Sequence, residues 1–147
     1  MEESNNIIIG IDHGNTSIKT NTGFECKSGF TILNDEPITQ RGLLNYQSKY
    51  YSIGTERLPV KMDKTKDEDF FIITLAAIAE SLSYGSEYIS TIEKDITLSV
   101  GLPIVNYGHL KERFKSYFVR DKIFYEYEGK EHLINIKNCF FTWIINK

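Results

Sequence analysis

One short stretch, Gly10-Ile11-Asp12-His13-Gly14-Asn15-Thr16-Ser17-Ile18-Lys19, gathers a carboxylate, an amine, two hydroxyls and a glycine turn. Those are the parts of a phosphate cradle. Gly14 lets the backbone approach a bulky anion, and successive amides of a turn through Gly14 and Asn15 can point at phosphate oxygens. Thr16 and Ser17 add hydroxyl donors, and Lys19 supplies a compact positive charge for a β- or γ-phosphate. Asp12, at the end of an apolar run, suits a magnesium ion held through its water shell, because that ion dehydrates reluctantly. The nucleotide-binding candidates are therefore Gly14, Asn15, Thr16, Ser17 and Lys19, with Asp12 as the metal residue. Turn chemistry alone also selects Gly, Asn and Asp, so the same residues read equally as a plain hairpin turn.

Other chemistry-bearing residues have plainer explanations. His13 is expected to be solvated in its turn, and His109 and His132 offer no more. Asp67-Glu68-Asp69 imitates a metal site, yet acids also gather at helix N-termini. Cys26 and Cys139 lack metal-ligand spacing and are expected to be buried, reduced thiols.

The candidate turn needs strands on either side of it. Ile7 to Asp12 is a β-branched run that suits a strand buried on both faces, and Thr16 to Asn21 alternates well enough to return as a second. Phe24 to Phe30 supplies a third, and Thr31 to Gln40 reads as loop, Pro37 arguing against a central strand. Leu44–Tyr46 and Tyr50–Ile53 form a hairpin around Gln47-Ser48-Lys49, followed by an exposed connector from Thr55 to Lys66. Phe70 to Leu82 is apolar on nearly every side, which predicts a central, buried helix; Ser86 to Glu93 could add a short one. Asp95 to Val100 alternates as a strand that Gly101-Leu102-Pro103 should stop. Tyr107, Leu110, Phe114, Tyr117 and Phe118 share one helical face. Ile123–Tyr127 and His132–Ile136 form a second hairpin around Glu128-Gly129-Lys130, and Cys139 to Ile145 is a strongly apolar final strand. The alternation of strands and helices predicts an α/β fold with a mixed sheet.

The composition narrows the class of ligand. A chain of 147 residues with 41% hydrophobic content can bury one ordinary core but hardly two. A net charge of -3, with lysines scattered among acids, disfavours nucleic acid as a direct ligand. The polar start carries no targeting pattern, and no run approaches the length of a membrane span, so a cytoplasmic location and no membrane partner are expected.

The Asp-x-Gly-x-Thr-x-x-Lys hairpin resembles the first phosphate motif of the actin, Hsp70 and sugar-kinase superfamily. Tyr50-Tyr51-Ser52-Ile53-Gly54-Thr55-Glu56-Arg57, Asp63-Lys64-Thr65, Leu75-Ala76-Ala77-Ile78-Ala79 and Val100-Gly101-Leu102-Pro103 followed by Tyr107-Gly108 then resemble, in order, the N-terminal domain of ParM/StbA-type bacterial actin-like proteins. The resemblance implies an actin-like, RNase H-like N-terminal domain over residues 7–147, after a disordered 1–6, with the family's second domain absent. It also implies that Asp12, Gly14, Asn15, Thr16 and Lys19 line the phosphate side of a nucleotide cleft. ATP or GTP with magnesium would bind the complete protein, and weakly or not at all this chain alone, which lacks the family's Pro-Gln-Gly-like element after its last hairpin. The partners so implied are a second copy or an intact relative, with DNA reached only through an adaptor during plasmid segregation. Two other functions fit the same motif: a small-molecule kinase fragment, and a non-catalytic module that caps or poisons filaments. The cluster of Phe140, Phe141, Trp143 and Ile144 reads as a core strand or as a surface for a partner.

Overall fold

The computed structural model describes residues 6–14, 16–59, 65–84, 92–103 and 110–144, with the backbone alone at 102–103, 110–111 and 143–144. In chain order the elements are β1 (Asn6–His13), β2 (Ser17–Thr20), β3 (Glu25–Lys27), β4 (Phe30–Leu33), β5 (Leu43–Tyr46), β6 (Lys49–Ile53), α1 (Asp69–Ser83), β7 (Lys94–Pro103), α2 (Leu110–Phe118), β8 (Arg120–Tyr127) and β9 (Lys130–Ile144). The strands form one mixed sheet in the order β3-β2-β1-β7-β9-β8-β5-β6-β4. β1, β7 and β9 run parallel, and the remaining pairings are antiparallel.

β3 and β4 stand at opposite ends of that order, yet Ser28 and Gly29 alone join them, so the sheet curls until its two ends meet. Across the seam, Gly54 N donates to Gly29 O at 2.8 Å and Leu58 N donates to Ser28 O at 3.0 Å. A Cβ on Gly29 would overlap the Glu56 carbonyl oxygen, so the closure admits only glycine there.

Inside the curl lies α1. Every position from Phe70 to Ala79 is buried, as is Leu82, which is why its sequence shows almost no polar face. Tyr117 of α2 accepts a hydrogen bond from Phe71 N at 2.9 Å and donates one to Asp67 O at 2.7 Å, giving a partner to an amide that the first helical turn leaves open. Asp67 Oδ1 accepts from Asp69 N at 3.0 Å, and Glu68 pairs with Arg120 at 2.7 Å. The acids before α1 are thus accounted for by helix start and ion pair.

Several expectations need correction. β1 is covered on one face, not both: Ile9, Ile11 and His13 are buried, while Ile8 is 68% exposed. Phe24 to Phe30 is divided by Ser28 and Gly29 into two strands, and the expected loop begins with β4, a strand at the sheet's edge. Gly101-Leu102-Pro103 does not stop β7, because β9 pairs beside it through Pro103, opposite Ile144. The two apolar segments at the C-terminal end are one strand, β9, with a register shift opposite Ile96 and Thr97. Both hairpin turns are one residue shorter than expected. Gln47-Ser48 and Glu128-Gly129 turn with positive φ throughout, and Lys49 and Lys130 already belong to the returning strands. His13 and His132 are buried rather than solvated, and Cys26 is only half-buried. The short helix expected over 86–93 falls mostly outside the described residues, as do His109 and the Trp143 side chain.

Candidate functional site

β1 and β2 pair with Asp12 opposite Lys19 and His13 opposite Ile18. Directly opposed residues of antiparallel strands share a face. His13 and Ile18 point into the core, so Asp12 and Lys19 point out of it, and both are exposed. The carboxylate and the amine therefore stand side by side on one surface. Lys19 Nζ lies 3.7 Å from Glu25 Oε2 on β3, with each side chain 56% exposed. Such an open pair is worth below about 1 kcal/mol, so an anion can draw the amine away from it. Glu25 was not apparent as a neighbour of Lys19 because its strand was expected to begin earlier and run on.

The turn between β1 and β2 is tight. Gly14 N donates to Ser17 O at 3.0 Å, and a Cβ on Gly14 would come within 2.8 Å of that same oxygen, so the position requires glycine for lack of room. Thr16 is exposed and Ser17 half-buried, while Asn15 lies outside the described residues. Beneath the turn sits Ser28, which sequence reasoning missed. It is 2% exposed, its Oγ donates to Gly14 O at 2.9 Å, and its N donates to Thr16 O at 3.1 Å. The only signal in the sequence was a Ser-Gly pair inside an apparent strand.

His13 belongs to the core side of this site. Its Nε2 lies 3.0 Å from Thr74 Oγ1, and its ring sits 5.8 Å from both Phe70 and Phe118. It anchors the end of β1 against the helices, which leaves Asp12 as the outward group. Next to Asp12 across the sheet come Gly101 on β7 and Thr142 on β9. The row Lys19, Asp12, Gly101, Thr142 thus runs along the carboxyl ends of three parallel strands.

The donor set fits a magnesium ion of one kind only. Among the described residues, no three His, Cys, Asp or Glu side chains gather into a metal cage. A single exposed carboxylate suits an ion that keeps most of its water and takes its other ligands from phosphate. Burial, helped by Glu80 and Glu25, pushes the Cys26 thiol up to about 11, and burial pushes Cys139 to about 12, which disfavours the thiolate in both.

Comparison with known proteins decides the family. The family model described as the N-terminal domain of actin-like proteins matches residues 10–142. This chain belongs to the family of actin-like protein N-terminal domains. No curated protein matches the sequence. Among solved structures, the actin-like chain superimposes on the actin-like protein Alp7A with a TM-score of 0.70 and 16% identity, covering 94% of this chain and 45% of that one. On apo pSK41 ParM the TM-score is 0.73 with 15% identity, covering 94% and 49%. On the AlfA filament bound to AMPPNP it is 0.67 with 14% identity, covering 94% and 54%. The actin-like chain spans about half the length of these relatives, and at such identities the likeness is one of fold. The α/β mixed sheet with packed helices expected from the sequence is the fold observed.

Proposed function

We propose that this actin-like chain carries the first phosphate-binding turn of a magnesium-nucleotide cleft in a plasmid-segregation ATPase. The observation that carries the reading is the pairing of Asp12 with Lys19 on the exposed face, beside a turn that has room only for glycine. The position in the sheet supports it. From β1 the chain runs to β2 and β3 on one side and returns to β7 and β9 on the other. Asp12 lies there at the carboxyl end of β1, beside Gly101 of β7, which in turn lies beside Thr142 of β9.

In this reading Lys19 leaves Glu25 to neutralise a phosphate oxygen, the Thr16 hydroxyl donates to another, and Asp12 orients water on the metal side. Magnesium, when bound, supplies positive charge against the triphosphate. In-line transfer needs groups held on both sides of the reacting phosphorus, and the described residues form one side. The chain alone therefore binds ATP or GTP weakly and turns it over hardly at all. The AlfA filament supports a second actin-like copy as the main partner, in the cytoplasm, with DNA engaged only through an adaptor.

Titration calorimetry with Mg-ATP tests the reading. The wild-type chain binds weakly and Lys19→Ala weakens binding at least about tenfold, the scale of one charge-assisted contact. Equal binding by both proteins, or none by the wild type, would overturn it. Phosphate release by the pure chain at the rate of a complete actin-like ATPase would refute the claim of inactivity.

A further inference from the structure

We infer that Ser28 is a positioning residue that ties the shape of the candidate phosphate turn to the seam of the curled sheet; its bearing on ligand rests on the function proposed above. Ser28 sits at the junction of three segments. Its Oγ holds Gly14 O at 2.9 Å and its N holds Thr16 O at 3.1 Å, so both halves of the turn are fixed from below. Its own carbonyl accepts from Leu58 N at 3.0 Å, and the next residue, Gly29, accepts from Gly54 N at 2.8 Å. Gly29 also packs so closely on Glu56 that no side chain fits.

Two carbonyls of the turn are thereby aimed inward at Ser28. Gly14 N donates within the turn to Ser17 O, so this bond and the two to Ser28 together hold one shape. A ligand above the turn meets the exposed Thr16 and Lys19, and preorganised donors bind better than donors that must first be ordered. The hydroxyl of a buried serine has little freedom to serve another partner, and its bond crosses from the β3–β4 junction to the β1–β2 turn. A displacement of the 54–58 segment, which follows β6, can reach the turn through Ser28. The far end of the sheet thus acts on the site without touching its ligand.

Amide hydrogen exchange by NMR on the whole chain, compared among wild type, Ser28→Ala and Ser28→Thr, tests the inference. In Ser28→Ala the Gly14 and Ser28 amides should exchange about tenfold faster, as loss of one buried hydrogen bond implies, while Ile53 of the β5–β6 hairpin is unchanged. Ser28→Thr, which keeps the hydroxyl, should restore slow exchange. A Mg-ATP titration of the same three proteins should show weaker binding for Ser28→Ala alone, with no change in its melting temperature beyond a few degrees. Unchanged exchange at Gly14 and Ser28 in the alanine variant would overturn the inference whatever the titration gives. Faster exchange with undiminished ATP affinity would overturn its bearing on ligand. Failure of the wild type to bind Mg-ATP would overturn the proposed function instead, with the exchange data still deciding whether Ser28 sets the turn.

Discussion

The two faces of the sheet are built from alternate residues of the same strands, yet they are under different constraints. On the inner face Ile9, Ile11, Leu98, Val100 and Cys139 are buried in one core cluster with residues of α1 and α2. On the outer face the intervening residues are Ile8, Gly10, Asp12, Ser99 and Phe140, and no described helix packs on them; Ile8 is 68% and Phe140 58% exposed. One face specifies the fold, and the other holds the outward-pointing residues of the candidate site. Asp12 and Lys19 are therefore free to serve a ligand, since the core does not depend on them.

Substitutions on the two faces should separate accordingly. Phe71, fully buried on α1 against Tyr46, Tyr117 and the Arg120 guanidinium, has the largest expected effect. Phe71→Ala should lose about 3–5 kcal/mol in urea denaturation, and a loss below about 1 kcal/mol would break the distinction from the inner side. Next comes His132, on the inner face of β9 and stacked on Tyr125 at 5.0 Å. Burial, with Lys94 and Lys130 nearby, holds its imidazole down at about 4 against an ordinary 6.5. Above pH 6.5 it is neutral whether folded or not. As pH falls from 6.5 to 4 the unfolded chain takes up a proton that the folded chain refuses, so up to about 3 kcal/mol of stability is lost over that window. Denaturation at several pH values should show this slope, and His132→Phe should flatten it. On the outer face, Phe140→Ser and Lys19→Ala should each change stability by less than about 1 kcal/mol, with Lys19→Ala the smaller. A loss as large as that of Phe71→Ala would sharpen the picture in the opposite sense, by revealing a cover on the outer side.

Much of this was legible in the sequence, and the failures follow one rule. Local signals worked where the cause is local: the apolar helix from Phe70, the strand that begins the fold, which runs one residue past the expected Asp12, and the two hairpins around Gln47 and Glu128. The family was legible through ordered blocks rather than any one motif. What could not be read depends on distant partners. Ile7-Ile8-Ile9 looks two-sided because nothing in a strand says which of its faces finds a helix. Gly101-Leu102-Pro103 looks like a stop unless β9 is known to lie beside it. His13 looks like a turn residue until Thr74 and Phe118, far along the chain, close over it. Ser28 was invisible for the same reason, since its three bonds reach to segments before and after it.

The closure of the sheet through Ser28 and Gly29 also bears on how the molecule comes together. The hydrogen bonds that join this seam to the turn all lie between residues 14 and 58, a stretch that precedes α1 in the chain. They therefore cost less loop-closure entropy than the pairing of β1 with β7, whose partners are far more distant in sequence. The part of the molecule that shapes the turn is thus the part with the most local connections.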